Sequence, residues 1–313
     1  MTNGDRGHYV AYVPKKFRQE ALDIIEAANK IITEYECDGH DMTLRQLYYQ
    51  FVARGLFENA DKNYSKLGSI INDGRLAGLV SWTAIDDRGR NLKGLSTFTG
   101  PDAAIKSVLM KYRNDLWEDQ PFRPEVWVEK AALEGVIAGI CNKLRVDFFA
   151  CRGYNSQSEQ WRAGRRLAGY IAKGQRPIIF HLGDHDPSGI DMTRDNQERL
   201  SLFAGVPIQV VRIALNMPQI ELYRPPPNPA KVTDSRFEDY QRKFGDESWE
   251  LDALSPNVIH NLIEESVVRL RDEKLWDAAL KQEVEDKLAL EEMIAETQGE
   301  EKPRSQRRFE NDE

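Results

Sequence analysis

The chain has only three cysteines in 313 residues, Cys37, Cys141 and Cys151, without an even count or the close pairing of a zinc site. A disulfide framework and a cysteine-ligated metal are thereby excluded, and a reducing compartment suits the sequence. No apolar run approaches the roughly 20 residues of a membrane-spanning helix. The opening MTNGDRGHYVAYVPKK has no apolar signal-peptide core. The expectation is a soluble, cytoplasmic protein with no membrane partner. An excess of positive charge is also missing, since the formal net charge is −8. Residues 272–313 hold fourteen Asp and Glu against seven Lys and Arg, which leaves −1 on residues 1–271. A near-neutral body argues against indiscriminate nucleic-acid binding but leaves room for local basic patches.

What is present is 41% apolar residues, enough for two modest cores. From residue 125 onward strands and helices alternate: strand 125–130, helix 131–144, strand 146–151, helix 157–172, strand 177–183, helix 189–203, strand 208–214. This alternation predicts an α/β layer, a parallel sheet flanked by helices. The stretch Pro177–Asp191 organises it. An apolar run ends in Gly183-Asp184-His185-Asp186-Pro187-Ser188-Gly189, at the strand edge where ligands of open α/β sheets gather. Asp184 and Asp186 are two apart, so in an extended segment both lean to one side, and their hard oxygens suit Mg²⁺ or Mn²⁺. Glu129 ends a second short strand and adds a third carboxylate. The plainer reading is an ordinary strand-to-helix turn with Asp186 or Ser188 as helix cap.

The amino-terminal third reads as helices. Apolar residues from Phe17 to Tyr35 recur at helical spacing. Thr43-Leu44-Arg45-Gln46 has the capping-box pattern of a second helix, and Tyr64, Leu67, Ile70 and Ile71 mark a third. Leu79–Trp82 and Asp86–Arg90 look like a strand and a turn, which together predict an α+β winged-helix domain. In the second helix, steps of about 100° per residue put Tyr48 on the apolar stripe and Tyr49 off it, one turn from Arg45. A phenol of reference pKa about 10 is ionised only about once in a thousand at neutral pH, so a nucleophilic Tyr49 needs a cation beside it. Otherwise Tyr49 is a helix-surface ring and Arg45 an exposed ion-pair partner.

Strand-Glu129-Lys130-helix, then Arg152-Gly153-Tyr154-Asn155-Ser156, then strand-Gly-Asp-x-Asp-Pro-x-Gly-Ile-Asp, resembles the Toprim domain in its topoisomerase VI A-subunit variant. That variant is shared with the meiotic double-strand-break transesterase and with stand-alone phage and plasmid relatives. Arg45-Gln46-Leu47-Tyr48-Tyr49 resembles the family's Arg-x-x-Tyr-Tyr segment, and the resemblance spans roughly residues 40 to 270. It implies a prokaryotic or phage-encoded DNA-cleaving enzyme in which Tyr49 attacks a phosphodiester, Arg45 assists, and Glu129, Asp184 and Asp186 hold Mg²⁺ or Mn²⁺. It further implies DNA as partner and a homodimer with each site shared between subunits; no Walker A sequence is present, so strand passage is not encoded here, and the family's A subunit can depend on an ATPase partner, whose existence this sequence leaves open. Two other readings stand beside this one: a Toprim endonuclease using metal-activated water, and a non-catalytic DNA-binding protein. A haloacid-dehalogenase-like phosphatase also places Asp-x-Asp after a strand, but a preceding Glu strand and a winged-helix half are foreign to it.

The remaining candidates are DNA contacts. Lys130, Arg152, Ser156, Arg162, Arg165 and Arg166 lie at or beyond strand ends on the metal side. As alternatives, the three arginines form a solvated helix face and Lys130 pairs with an acid. Pro225-Pro226-Pro227 reads as a stiff connector. Glu250 and Asp252, in a segment resembling the acidic end of the family's domain, have two readings, acids that approach the metal and, favoured by position, helix-start acids that stabilise the macrodipole. The expected domains are 1–120 (helix and winged helix), 121–271 (Toprim) and 272–313 (charged helix and acidic tail).

Overall fold

Three amino-terminal helices follow the apolar spacing of the chain. In the computed structural model, which describes residues 9–37, 42–85, 95 and 97–299, α1 (Gln19–Cys37) buries Ile24, Ile25, Ala28, Ile31, Ile32 and Tyr35. α2 (Leu44–Ala53) opens on the capping box expected at Thr43 and Gln46. α3 (Asp61–Leu76) brings Leu67 and Ile71 against Leu47 and Phe51 of α2, all essentially inaccessible to water. Each such side chain contributes about 1.5–3 kcal/mol by burial.

The expected wing is not formed among the described residues. Leu79–Trp82 makes bends rather than a strand, and the turn at Asp86–Arg90 lies outside the described residues. Arg75 accounts for the difference. Its guanidinium donates to the carbonyls of Trp82 (2.8 Å) and Ile85 (2.6 Å), and its Nε reaches that of Ser81 at 3.5 Å. A side chain thereby satisfies acceptors that a strand ladder would have used.

The second layer is the α/β part, a four-stranded parallel sheet in the order β2-β1-β3-β4. Its strands are β1 (Phe122–Val128), β2 (Asp147–Ala150), β3 (Arg176–Leu182) and β4 (Gln209–Ala214). Both central strands are buried almost throughout, which is why they read as continuous apolar runs. α6 (Gln157–Ala172) and α7 (Pro187–Ala204) cover Trp127 and Ile179 with Leu167 and Leu200. α5 (Glu134–Lys143) packs with α10 (Pro256–Val268). Between β4 and α10 the chain forms α8 (Met217–Tyr223), α9 (Phe237–Phe244) and a short antiparallel pair, β5 (Asn228–Pro229) with β6 (Glu247–Ser248). Only the stiff connector was legible there.

By contacts, Met1–Asn91 with Phe122–Leu270 form one unit and Leu92–Pro121 with Arg271–Glu313 another. The helices α1–α3 and the sheet, divided at residue 120 in the sequence reading, thus fall within one unit. In the other, α4 (Pro101–Lys111) accompanies the long charged helix α11 (Glu273–Gly299), with the Trp117 and Trp276 rings edge to face at 5.6 Å. No described helix is long and apolar enough to cross a membrane.

Candidate active site

The carboxyl edge of β3 is held by two glycines and one arginine. A Cβ on Gly189 would stand 2.2 Å from the Asp184 carbonyl oxygen, and one on Gly183 would stand 2.8 Å from Glu129 Oε2. At Gly189 the obstacle is backbone, so only glycine allows that approach, whereas at Gly183 it is the end of a side chain. Beneath the turn, Arg212 of β4 donates to the carbonyls of Gly183 (2.9 Å), Asp184 (2.5 Å), Gly189 (2.8 Å) and Leu215 (3.3 Å), and to Thr193 Oγ1 (3.1 Å). Burial lowers the Arg212 pKa to about 10, which leaves it a cation at neutral pH.

Each acid of the turn has a distinct place. Asp186 caps α7, its Oδ1 accepting from Gly189 N (2.6 Å) and Ser188 Oγ (3.1 Å), so the ordinary cap reading describes its contacts. Glu129 Oε2 accepts from Asp184 N at 2.9 Å. Burial, reinforced by the Asp184 charge, pushes the Glu129 pKa up to about 8. Asp184 Oδ1 accepts from Leu251 N at 2.8 Å, and burial raises its pKa to about 6 against the opposing pull of Lys130.

That contact with Leu251 brings in two acids read from sequence as helix-start residues. Trp249 and His185 exchange backbone hydrogen bonds (2.8 and 3.0 Å), which lays the segment 249–252 beside the turn. Glu250 and Asp252 flank Leu251 and join Asp184 there. Ligand oxygens of Asp184, Glu250 and Asp252 lie within 4.8 Å of one another, the one such group among the described residues. The signal was available in the sequence, because Glu250 and Asp252 have the same two-residue spacing as Asp184 and Asp186.

The donor set fits a hard divalent cation. All its atoms are carboxylate oxygens, and Asp252 Oδ2 is buried with no hydrogen-bond donor. Arg45 Nε lies 3.2 Å from that oxygen, an ion-pair distance whose direction does not make a hydrogen bond. Lys130 Nζ meets Glu250 Oε2 (2.5 Å), Asp252 Oδ1 (2.6 Å) and Asp184 Oδ2 (2.9 Å). Burial alone would lower the Lys130 pKa, but the three acids raise it above its ordinary value. Lys130 therefore pairs with acids, the alternative left open by the sequence. For Glu250, burial is outweighed by Lys130 and Arg45, and its pKa is lowered.

Tyr49 departs from the sequence expectation. Both tyrosines are 4% exposed, so Tyr49 is as buried as Tyr48. The helix stripe alone could not show this, because the acidic segment 249–252 closes over the polar side of α2. Tyr48 Oη accepts from Ala60 N at 2.7 Å and is committed to the start of α3. Tyr49 Oη meets Arg45 Nη2 at 3.5 Å, while the same nitrogen grips Glu250 at 2.8 and 2.6 Å. Burial and the Glu250 charge outweigh Arg45 and push the Tyr49 pKa up to about 12. In this arrangement Arg45 serves Glu250 more than the phenolate. Even so, Arg45, Tyr49, Asp184, Asp186 and Glu250 line one cavity of about 240 Å³, within one unit of a single chain.

The expected DNA contacts divide. Arg166 is a fork on Glu125 (2.9 Å at both oxygens), Arg162 pairs with Glu159, and Ser156 Oγ accepts from Glu159 N as the cap of α6. Arg152 and Arg165 are exposed, and neither shows a hydrogen bond or ion pair. Arg152 stands in the left-handed region at φ 56°. No family model matches the chain, and no curated protein is significantly similar to it.

Proposed function

We propose that the chain is a metal-dependent DNA-cleaving enzyme of the topoisomerase VI A type, built from a Tyr-bearing helical part and a Toprim domain. The observation that carries this reading is the shared cavity: Tyr49, Arg45, Asp184 and Glu250 line it together. Asp184, Glu250 and Asp252 would hold Mg²⁺ or Mn²⁺, with Glu129 and Asp186 beside them. A bound divalent ion supplies neutralisation of phosphodiester charge. Tyr49 forms a new P–O bond as the bond to a deoxyribose oxygen breaks, and the phenol proton ends on the departing oxygen. Arg45, once turned from Glu250 towards Tyr49, favours the phenolate. Of the arginines expected to contact DNA, Arg152 and Arg165 have no ion pair and would face the DNA backbone.

Water as the nucleophile is the second reading. The burial of Tyr49 and the rise of its pKa to about 12 favour it, because both oppose ionisation of the phenol. Supercoiled plasmid incubated with protein and Mn²⁺ and quenched with denaturant separates the two. DNA retained with protein until protease is added supports transesterification; protease-independent free ends made equally well by Tyr49→Phe support hydrolysis. Dimerisation and an ATPase partner, which the resemblance also implies, are read by light scattering and by stimulation of cleavage.

A further inference from the structure

The cluster of Asp184, Glu250 and Asp252 is already faced by cations of the protein: Arg45 at Glu250 and Asp252, and Lys130 at all three acids. The Lys130 ammonium meets one oxygen of each acid at 2.5 to 2.9 Å, and its side chain is 22% exposed. These are the same three residues whose oxygens converge closely enough to ligate a metal. Beside them Asp252 Oδ2, on a residue 2% exposed, has no donor. Arg45 Nε stands 3.2 Å from this oxygen as an ion-pair partner without donating to it, so the oxygen carries no hydrogen bond and keeps its lone pairs for a ligand. An ammonium and a divalent ion compete for such a space, because both need several anionic oxygens at short range and repel each other there.

We propose that Lys130 is the internal counter-cation of this cluster and competes with divalent metal for it, so that metal entry displaces the ammonium from the acids. The proposal rests on the metal reading above. Three crowded carboxylates repel one another, and the lysine keeps the segment 249–252 against β3 before metal arrives. The consequence is a metal affinity set lower than the acids alone would give.

The test is calorimetric titration of the full chain with Mn²⁺, comparing wild type with Lys130→Met, which keeps the stem and removes the charge. The expected result is tighter Mn²⁺ binding by Lys130→Met, by about tenfold or more, the size of a one-unit electrostatic effect. Equal or weaker binding by Lys130→Met, with wild type binding, overturns the competition and leaves the metal site standing. Binding by neither protein overturns the metal reading and the competition together. A second measurement needs no variant: brief acetylation of wild type, read by peptide mass spectrometry against the exposed Lys243. Lys130 should become severalfold more reactive in saturating Mn²⁺ than in Na⁺ of matched ionic strength, and an unchanged rate overturns the displacement.

Discussion

Replacing Arg212 by methionine tests what holds the acid turn. The substitution keeps most of the stem's volume and removes five hydrogen bonds, four of them to carbonyls of residues 183, 184, 189 and 215. Gly183 O retains the Leu215 amide at 2.8 Å, so the loss is not total at every acceptor. Hydrogen bonds to a charged donor are worth about 1.5–3 kcal/mol each and do not add. A buried acceptor stripped of its donor costs about 1–3 kcal/mol, and with several carbonyls affected non-additively the expected loss is about 3–5 kcal/mol. Against a typical total of about 5–15 kcal/mol that is a large fraction. Urea unfolding followed by far-UV circular dichroism should show it, with Arg194→Met as control, since Arg194 is exposed and its pairs are worth at most about 1 kcal/mol. Arg212→Lys should fall between, because an ammonium has three donors and no fork. A loss below about 1 kcal/mol for Arg212→Met would refute the view that this guanidinium organises the turn.

Two further outcomes follow from burial. Burial pushes the Cys141 and Cys151 thiols up to about 12, whereas Cys37 is exposed, so a thiol reagent at pH 8 should label Cys37 alone in the folded protein and all three in urea. Glu129 is raised to about 8 in the folded state, above its unfolded value, so its contribution to apoprotein stability is full below that unfolded value and is lost as pH rises through about 8. Mn²⁺ affinity should therefore increase from pH 6 to pH 8.5, with proton release seen as a buffer-dependent heat; a flat profile would remove Glu129 from the site's electrostatics.

The sheet was legible because both central strands are buried on two faces and each of its three crossovers carries a helix of ordinary length. The capping box at Thr43 was legible because its chemistry is local. What escaped depended on contacts distant in sequence. Glu250 and Asp252 reach Asp184 only because Trp249 pairs with His185, some 60 residues earlier, and Leu251 N–H meets Asp184. Tyr49 was placed on a polar helix side by periodicity, and the same acidic segment buries it. Arg212 offered a sequence signal, a lone cation within the apolar run Val210-Val211-Arg212-Ile213, whose partners are backbone carbonyls that no motif encodes. Of the expected wing, Leu79–Trp82 is not a strand and Arg75 satisfies carbonyls of that loop, while the turn lies outside the described residues.

The central claim is that Tyr49 is the nucleophile, and its own peptide reports on it most directly. After incubation with DNA and Mn²⁺, a denaturing quench and exhaustive nuclease digestion, the tryptic peptide Gln46–Arg54 contains both tyrosines. The account predicts a nucleotide adduct in phosphodiester linkage on Tyr49, with Tyr48 unmodified, and no adduct in the Tyr49→Phe protein. Cleaved DNA accompanied by an unmodified peptide would contradict it.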